Sequence, residues 1–272
     1  GGYGVVWAEE NSRDSVFEAL LRKETYGTSG TRPIVRTFGG WGLDENLCDL
    51  PHQDLAKKGY KEGVPMGGEL LDARSAKDRG AGEAPTLVVA AWKDDFIDTP
   101  LQQIQIVKGW VDDQGQTHER VRTVAGHNPQ RWEIDPETGA RKAQPIVDPE
   151  TCTALRSGKN RLCAVWQDPE FDPDERAFYY VRVLEDPVCR WSTHWCREHL
   201  QIDPLSPSCA EDLKALQNSS NAEDKLRGAT GAWCCNNQES EVFLQPVIQE
   251  RAWTSPIWYT PEMESRGMGA AP

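Results

Sequence analysis

Hydrophobic positions at the start of the chain change from a continuous run to a helical spacing. Residues 4–8 (GVVWA) form a short apolar run that is typical of a buried strand. The next apolar side chains recur at three- and four-residue intervals and predict an amphipathic helix: Val16, Phe17, Leu20 and Leu21. Asn11 or Ser12 is suited to cap this helix, and Gly27 is suited to end it. The chain therefore opens with one β–α unit.

Most later apolar segments are short and bounded by turn residues, which predicts strands. These segments are 85–92, 102–111, 161–167, 177–184 and 256–260. The sequence DDQG (112–115) separates the second of them from 116–124, so we expect a hairpin there. Residues 211–227 are compatible with a short exposed helix. About six strands with turn punctuation favour a mainly β chain with a β-sandwich-like domain.

The same patterns divide the chain into three predicted segments. Residues 1–32 are the β–α unit, 33–84 are an irregular connecting segment, and 85–272 are a β-sandwich-like C-terminal domain with long loops. A Cys-rich insertion occupies about 189–235 within the last segment. Because β–α units usually occur in series, a solitary one predicts the end of a series that precedes this chain.

An acidic charge balance restricts the classes of partner. The chain has 43 Asp and Glu against 30 Lys and Arg, a net charge of −13. Nucleic acid and anionic membrane surfaces attract basic surfaces, so we expect neither as a partner. No apolar stretch has the length of a membrane span, and no signal peptide is visible in residues 1–20.

Cysteine usage points to disulfide bonds. Five of the eight cysteines fall between residues 189 and 235. Zinc sites use thiolate pairs at C-x₂-C spacing, and the sequence has none, so disulfides are favoured. The disulfide candidates are Cys48, Cys152, Cys163, Cys189, Cys196, Cys209, Cys234 and Cys235. Their spacing leaves the pairing open, and their number predicts a periplasmic or extracellular location.

The first candidate site is the short polar segment that follows the opening strand. Glu9, Glu10 and Asn11 lie between the predicted strand and helix. Sites in α/β folds are built at that edge of the sheet, where two carboxylates can hold a metal, orient a ligand or act as acid and base. The alternative is structural, with Asn11 capping the helix and a glutamate facing solvent.

The second candidate is the turn TYGTSGTR at 25–32, with Thr28, Ser29 and Arg32 as predicted substrate-binding residues. Hydroxyls, glycine amides and a guanidinium suit a phosphate group. The turn lacks the spacing of a P-loop and precedes no predicted helix, so a helix C-cap followed by a tight turn is the alternative.

Two weaker signals come from acidic and aromatic residues. The run DPEFDPDE (168–175) brings Asp168, Asp172 and Asp174 close together, either as calcium ligands or, as we favour, in a solvated turn. The 11 Trp residues favour packing in the core, with a sugar-binding surface cluster as the alternative.

The opening stretch VWAEENSRDSVFEALLRKETYGTSGTR (6–32) resembles the closing unit of the catalytic barrel in a bacterial domain-of-unknown-function family, thirty-six-oh-four. That family is related to the PHP (polymerase and histidinol phosphatase) metallohydrolases. Five further strings resemble its C-terminal part in the same order: FGGW (38–41), GVPMGGEL (63–70), IQIVKGWVDDQGQTHERV (104–121), DPEFDPDERAFYYVRVLEDP (168–187) and QERAWTSPIWYTP (249–261).

The resemblance implies a metal-dependent hydrolase, acting on phosphate esters. It also implies a PHP-type (β/α) barrel that lies mostly outside this chain and that residues 1–32 close. The family binds a divalent metal ion through an H-x-H motif and a later Asp/His pair upstream of the opening strand, so the resemblance implies that the ligands are not in this chain. Glu9, Glu10 and Asn11 would then border the active site, and the chain alone would be inactive.

The sequence also departs from the family. The family reads Ala-Thr-Ser-Gly-Pro-Arg where this chain has Gly-Thr-Ser-Gly-Thr-Arg at 27–32, and the run from Cys189 to Cys235 is an insertion. The alternative to the hydrolase is a non-catalytic accessory or structural subunit that completes a partner barrel or assembly. The expected partner is the N-terminal barrel portion or a partner chain, and a homo-oligomer is a further candidate.

Overall fold

A computed structural model describes most of the chain as two compact units. The described residues are 1–73, 84–126, 147–155, 157–235 and 245–261, with the backbone of 132–134 and 141–143. The first unit comprises Gly1–Asn128, Gly158–Glu185 and Glu250–Pro272, and the second comprises Pro129–Ser157 and Asp186–Gln249. The predicted segment boundaries at residues 32 and 84 stay a prediction.

Two sheets form the first unit. The larger sheet contains β1 (Tyr3–Val6), β2 (Thr25–Thr28), β5 (Glu69–Leu70), β7 (Leu101–Val111), β8 (Thr117–Gly126), β12 (Arg176–Glu185), β15 (Arg251–Thr254) and β16 (Ile257–Tyr259). The smaller sheet contains β3 (Ile34–Trp41), β4 (Val64–Pro65), β6 (Pro85–Trp92) and β11 (Arg161–Gln167). All pairings except that of β16 with β5 are antiparallel. The prediction of a mainly β chain is confirmed.

Strand β12 organises the larger sheet. It pairs with β7 along one edge, and with β15 and β16 along the other. The β7–β8 hairpin lies where the DDQG turn predicts it. Side chains of both sheets form one core, because alternate positions of each strand face inward. Core members include Val35, Leu87 and Val89 from the smaller sheet, and Ile104, Ile106, Tyr179 and Val181 from the larger.

The segment 33–84 has more regular structure than its sequence predicts. Besides β3, β4 and β5 it contains a 3₁₀ helix (Glu45–Asp49) and helix α2 (His52–Glu62). Helix α2 escaped prediction because its sequence, HQDLAKKGYKE, has few apolar positions. Its Gly59 lies against the Phe38 ring, where a β-carbon would approach ring atoms to 2.4 Å. The helix therefore packs closely on β3.

The opening β–α unit is not isolated within the chain. Helix α1 (Arg13–Leu21) returns the chain to β2, which pairs antiparallel with β1. The prediction that residues 25–32 form only a turn is therefore wrong for 25–28. The β-branched and aromatic residues Thr25 and Tyr26 favour extended backbone, and β15 supplies a second partner for this strand. Strand β1 lies at the end of the larger sheet, and the described residues form no closed barrel.

The second unit is a disulfide-bonded lobe. Its strands are β9 (Trp132–Ile134), β10 (Arg141–Ala143), β13 (Val188–Cys189) and β14 (Val247–Ile248). Its helices are α3 (Trp191–Trp195), α4 (Cys209–Gln217) and α5 (Ala222–Thr230), with a π-helical turn at Cys196–Leu200. The predicted single helix 211–227 is wrong, because Asn221 caps a second helix through a 2.8 Å hydrogen bond from Glu223 N.

All eight cysteines form disulfides, as their clustering predicts. The first unit contains Cys48–Cys163, and the second contains Cys152–Cys189, Cys196–Cys234 and Cys209–Cys235. Residues of the last two pairs contribute to the small core of the lobe. In the part of the chain that the structure describes, no helix is both long and apolar enough to cross a membrane.

Candidate functional site

The predicted acidic site lies on the loop between β1 and α1. Glu9, Glu10 and Asn11 are all exposed. The Ser15 hydroxyl accepts hydrogen bonds from the backbone N–H groups of Glu9 (3.0 Å) and Glu10 (3.2 Å). Ser12, one of the two predicted candidates, caps the helix through its hydroxyl. The loop backbone is therefore held in place, while its carboxylates remain open to solvent.

Glu9 borders a cleft at the carboxyl end of β1, which we call the β1 cleft. The cleft has a volume of about 560 Å³. It is lined by Trp7, Ala8, Glu9, Arg22, Glu24, Arg36, Tyr60 and Pro65. The residues that follow β1 and helix α1 contribute, as do β3, helix α2 and β4, so the cleft is assembled from residues far apart in sequence.

The C-terminus of helix α1 delivers a buried carboxylate to this cleft. Lys23 adopts a left-handed conformation (φ 59°), and Glu24 N donates to Ala19 O at 3.0 Å while Lys23 N donates to Leu20 O at 3.0 Å. These bonds form a Schellman motif. The helix thus ends before Gly27, the predicted stop. Glu24 follows the cap directly and is only 3% exposed.

Arg36 of β3 forms the centre of the cluster. Its guanidinium carbon lies 3.3 Å from the centroid of the Trp7 ring, a cation–π contact. Its Nη1 donates to the Tyr60 hydroxyl at 2.7 Å and to Glu24 Oε1 at 3.5 Å. Arg36 Nε is buried without a hydrogen-bond partner among the described residues. Within the described part of the chain, this nitrogen is therefore an unpaired donor beneath the surface of the cleft.

The cluster pairs the buried carboxylate of Glu24 with the largely buried Arg36 and the more exposed Arg22, whose side chains are 12% and 45% exposed. Arg22 Nη2 lies 3.7 Å from Glu24 Oε2, so one buried carboxylate faces two guanidinium groups. Tyr60 also donates a short hydrogen bond to Glu24. Burial, together with this hydrogen bond to a carboxylate, raises the pKa of Tyr60, so its hydroxyl stays protonated and acts as a donor. The cleft lining thus places two guanidinium groups beside an aromatic surface, with Glu9 and Glu24 as its two acidic side chains.

The residues predicted in the turn are engaged elsewhere. The buried Thr28 hydroxyl donates to Thr31 O at 2.6 Å, and the Ser29 hydroxyl donates to the Glu250 carboxylate. Arg32 is exposed, and its guanidinium lies 5.8 Å from the Tyr3 ring and 5.5 Å from the Phe96 ring. None of the three lines the β1 cleft. Their role in substrate binding stays a prediction.

The acidic run at 168–175 contains a buried ion pair rather than only a solvated turn. Asp168 is 2% exposed, and its Oδ2 lies 2.7 Å from Lys108 Nζ. The Tyr179 hydroxyl donates to the same oxygen at 2.7 Å. Burial, followed by the charge of Asp168, raises the pKa of Tyr179. Asp168 therefore links this turn to β7 and β12 through these two contacts.

The described residues do not fit a divalent metal site. One group of three metal-ligating side chains comes within 4.8 Å: Cys152, Cys189 and His194. Its two cysteines are bonded to each other, so neither can supply a thiolate. No reaction step through a metal follows from these residues.

His52 makes the stability of the fold depend on pH. Its Nε2 is buried without a partner among the described residues, and its ring contacts Trp92 with centroids 4.6 Å apart. Burial, aided by the charges of Arg36 and Arg161, lowers the pKa of His52 below its usual 6.5. The unfolded chain then binds the proton more readily, so stability is full above about pH 6.5 and falls as the pH drops below it.

We expect a His52→Phe variant to lose less melting temperature than the parent between about pH 8 and about pH 5.5. Replacing the exposed His194 with glutamine is the matched control and leaves the pH profile unchanged. Thermal unfolding followed by circular dichroism measures both. Equal losses in the His52→Phe variant and the parent would contradict this role.

The sequence predicted only part of the lining of the β1 cleft. The strand–helix step indicated Glu9, but Trp7 was assigned to a buried strand, and Glu24 and Arg36 stood out in no motif. A buried ion pair depends on which strands become neighbours, and spacing along the chain does not give that.

The comparisons with known proteins identified one family. A family model described as "Protein of unknown function (DUF3604)" matches residues 1–212. The comparison with curated proteins found no match, and neither did the comparison with solved structures.

Proposed function

This chain belongs to the DUF3604 family of proteins of unknown function, and we propose that it forms the C-terminal portion of a PHP-like metal-dependent hydrolase of the phosphoesterase type. The metal ligands then lie in an N-terminal barrel portion that β1 and α1 help to close. This chain contributes the wall of the catalytic cleft that holds the anionic group of the substrate.

The β1 cleft carries the proposal. Arg36 is stacked on Trp7, has an unpaired buried Nε among the described residues, and shares Glu24 with Arg22. A guanidinium group that is already held in one orientation loses little conformational entropy when it binds phosphate oxygens. Tyr60 accepts a hydrogen bond from Arg36 and donates its own to Glu24, so it positions both side chains, and Glu9 lies at the border of the cleft. In this proposal the two arginines position the substrate and carry out no proton transfer.

The experiment compares this 272-residue chain with the full reading frame that encodes it. Both are assayed with p-nitrophenyl phosphate and Mg²⁺, Mn²⁺ or Zn²⁺. We expect no turnover from the chain alone and activity from the full product. Full activity from the chain alone would refute the proposal.

Arg36→Gln in the full product is expected to lower kcat/KM by about tenfold or more, because it removes a charged donor to the substrate. Tyr60→Phe removes only a hydroxyl and serves where the first variant folds poorly. Arg13→Gln changes an exposed arginine outside the cleft and should leave kcat/KM unaltered. A parental rate in both cleft variants would remove these residues from the site.

An accessory role is the second candidate, and the surface of α1 favours it. Phe17, Leu20 and Leu21 are 59%, 51% and 65% exposed, and β1 pairs on one edge only among the described strands. Such a surface suits a partner chain that covers it. The mass of the purified chain in solution tests this role: a solitary monomer disfavours it, and co-purification with a barrel chain supports it.

The proposed location is an oxidising compartment, either the periplasm or the extracellular space. The four disulfides support it, because such bonds persist where thiols are not kept reduced.

A further inference from the structure

The disulfide-bonded lobe contains a cavity of its own, which we call the lobe cavity. Its volume is about 300 Å³, at the lower end of the range for small-molecule sites. The residues that the argument uses are Arg190, Trp191, Ser192, Cys196, Trp233 and Cys234. All of them belong to the insertion, so this cavity is separate from the β1 cleft in both residues and chemistry.

Two indole rings border the lobe cavity. Trp233 is 38% exposed and stacks on Trp195, with ring centroids 5.6 Å apart and an angle of 26° between the planes. His199 contacts Trp195 edge-on at 5.4 Å. Trp191 is 73% exposed, an unusual exposure for so large an apolar side chain. Indole faces of this kind bind flat apolar surfaces such as the C–H face of a sugar ring.

The polar side of the cavity is cationic. The Arg190 Nε donates to Gln245 O at 2.9 Å, and this bond fixes the guanidinium group. The described residues supply no carboxylate to the cavity lining, although the whole chain is acidic. The terminal nitrogens of Arg190 can therefore bind an anion of a ligand, and the Ser192 hydroxyl can hydrogen-bond to a sugar hydroxyl.

A disulfide and hydrogen bonds tie the lining of the lobe cavity together. The Cys196–Cys234 disulfide contributes both of its cysteines to the lining. Thr193 donates through its hydroxyl to Pro246 O at 2.7 Å, and Arg190 N donates to the same oxygen at 2.8 Å. These bonds hold α3 against the segment that follows residue 244. A preformed site loses little conformational entropy on binding.

We propose that the lobe cavity binds a pyranose ring that carries a carboxylate. The sugar ring packs against Trp191 and Trp233, and its carboxylate pairs with Arg190. This function is independent of the proposed hydrolase, since it uses only residues of the lobe.

Isothermal titration of the full chain tests the proposal with trigalacturonate and its methyl ester. We expect trigalacturonate to bind with Kd below about 1 mM and the ester about tenfold or more weaker, because esterification removes the charge that pairs with Arg190. Trp191→Ala should weaken binding of trigalacturonate by about tenfold. Trp258→Ala, which removes a 43% exposed Trp of the other unit, should leave it unchanged.

Arg190→Gln should abolish the preference for the acid over the ester. Where that variant folds poorly, the two ligands still test the charge on the parent chain. The proposal is overturned by absence of binding to trigalacturonate, by equal affinity for the ester, or by an unchanged Kd in Trp191→Ala. Benzoate binding as tightly as trigalacturonate would point to an aromatic acid and equally overturn it.

Discussion

Replacing Lys108 with methionine is expected to lower the free energy of unfolding by about 3–5 kcal/mol. Lys108 Nζ lies 2.7 Å from Asp168 Oδ2, and the two side chains are 6% and 2% exposed. The substitution would leave the Asp168 carboxylate buried without its counter-ion. Lys108 also donates to Glu170 O, so the turn after β11 would lose a second bond. Urea unfolding followed by tryptophan fluorescence measures the loss.

The exposed pair Lys57–Asp54 provides the matched control. Its side chains are 77% and 54% exposed, and Lys57→Met should cost no more than about 1 kcal/mol. The double variant Lys108→Met with Asp168→Asn should recover much of the lost stability, because it removes the unpaired charge and keeps an acceptor for the Tyr179 hydroxyl. If Lys108→Met costs as little as the control, then the pair does not hold this part of the fold together.

Replacing Cys48 and Cys163 together with serine is expected to cost roughly 4–5 kcal/mol, because their disulfide closes a long loop. The two residues are separated by 115 positions, and the bond ties the 3₁₀ helix Glu45–Asp49 to β11. Without it the unfolded chain gains the entropy of that whole loop. The measurement is again urea unfolding, with mass spectrometry to confirm that the other pairs are oxidised.

The pair Cys209–Cys235 makes the same chemical comparison with a shorter loop. Its separation is 26 positions, so its removal should cost less, roughly 3.5 kcal/mol. A larger loss from the shorter loop would show that native packing around the sulfur atoms, and not chain entropy, controls the stability.

Local sequence patterns predicted the elements that draw their stability from near neighbours. The β7–β8 hairpin follows from two alternating segments around DDQG, and helix α1 follows from its apolar spacing and its Ser12 cap. Strand β2 and helix α2 were missed because their stability comes from β15 and from the Phe38 ring, which are distant in sequence. The break between α4 and α5 was missed because Asn221 can serve in a helix or before one.

The sequence by itself determined that the chain is mainly β, that its cysteines form disulfides, and that the polar segment 9–11 borders the β1 cleft. Tertiary structure alone decided that Glu24 and Arg36 form a buried pair that Tyr60 contacts, and that Asp168 faces Lys108. Alternation and helical spacing predict that an element forms, and that information is local, whereas the apolar side chains Phe17, Leu20 and Leu21 of α1 are exposed. Which charges meet inside depends on strand order and register, and these are set by the packing of the whole sheet.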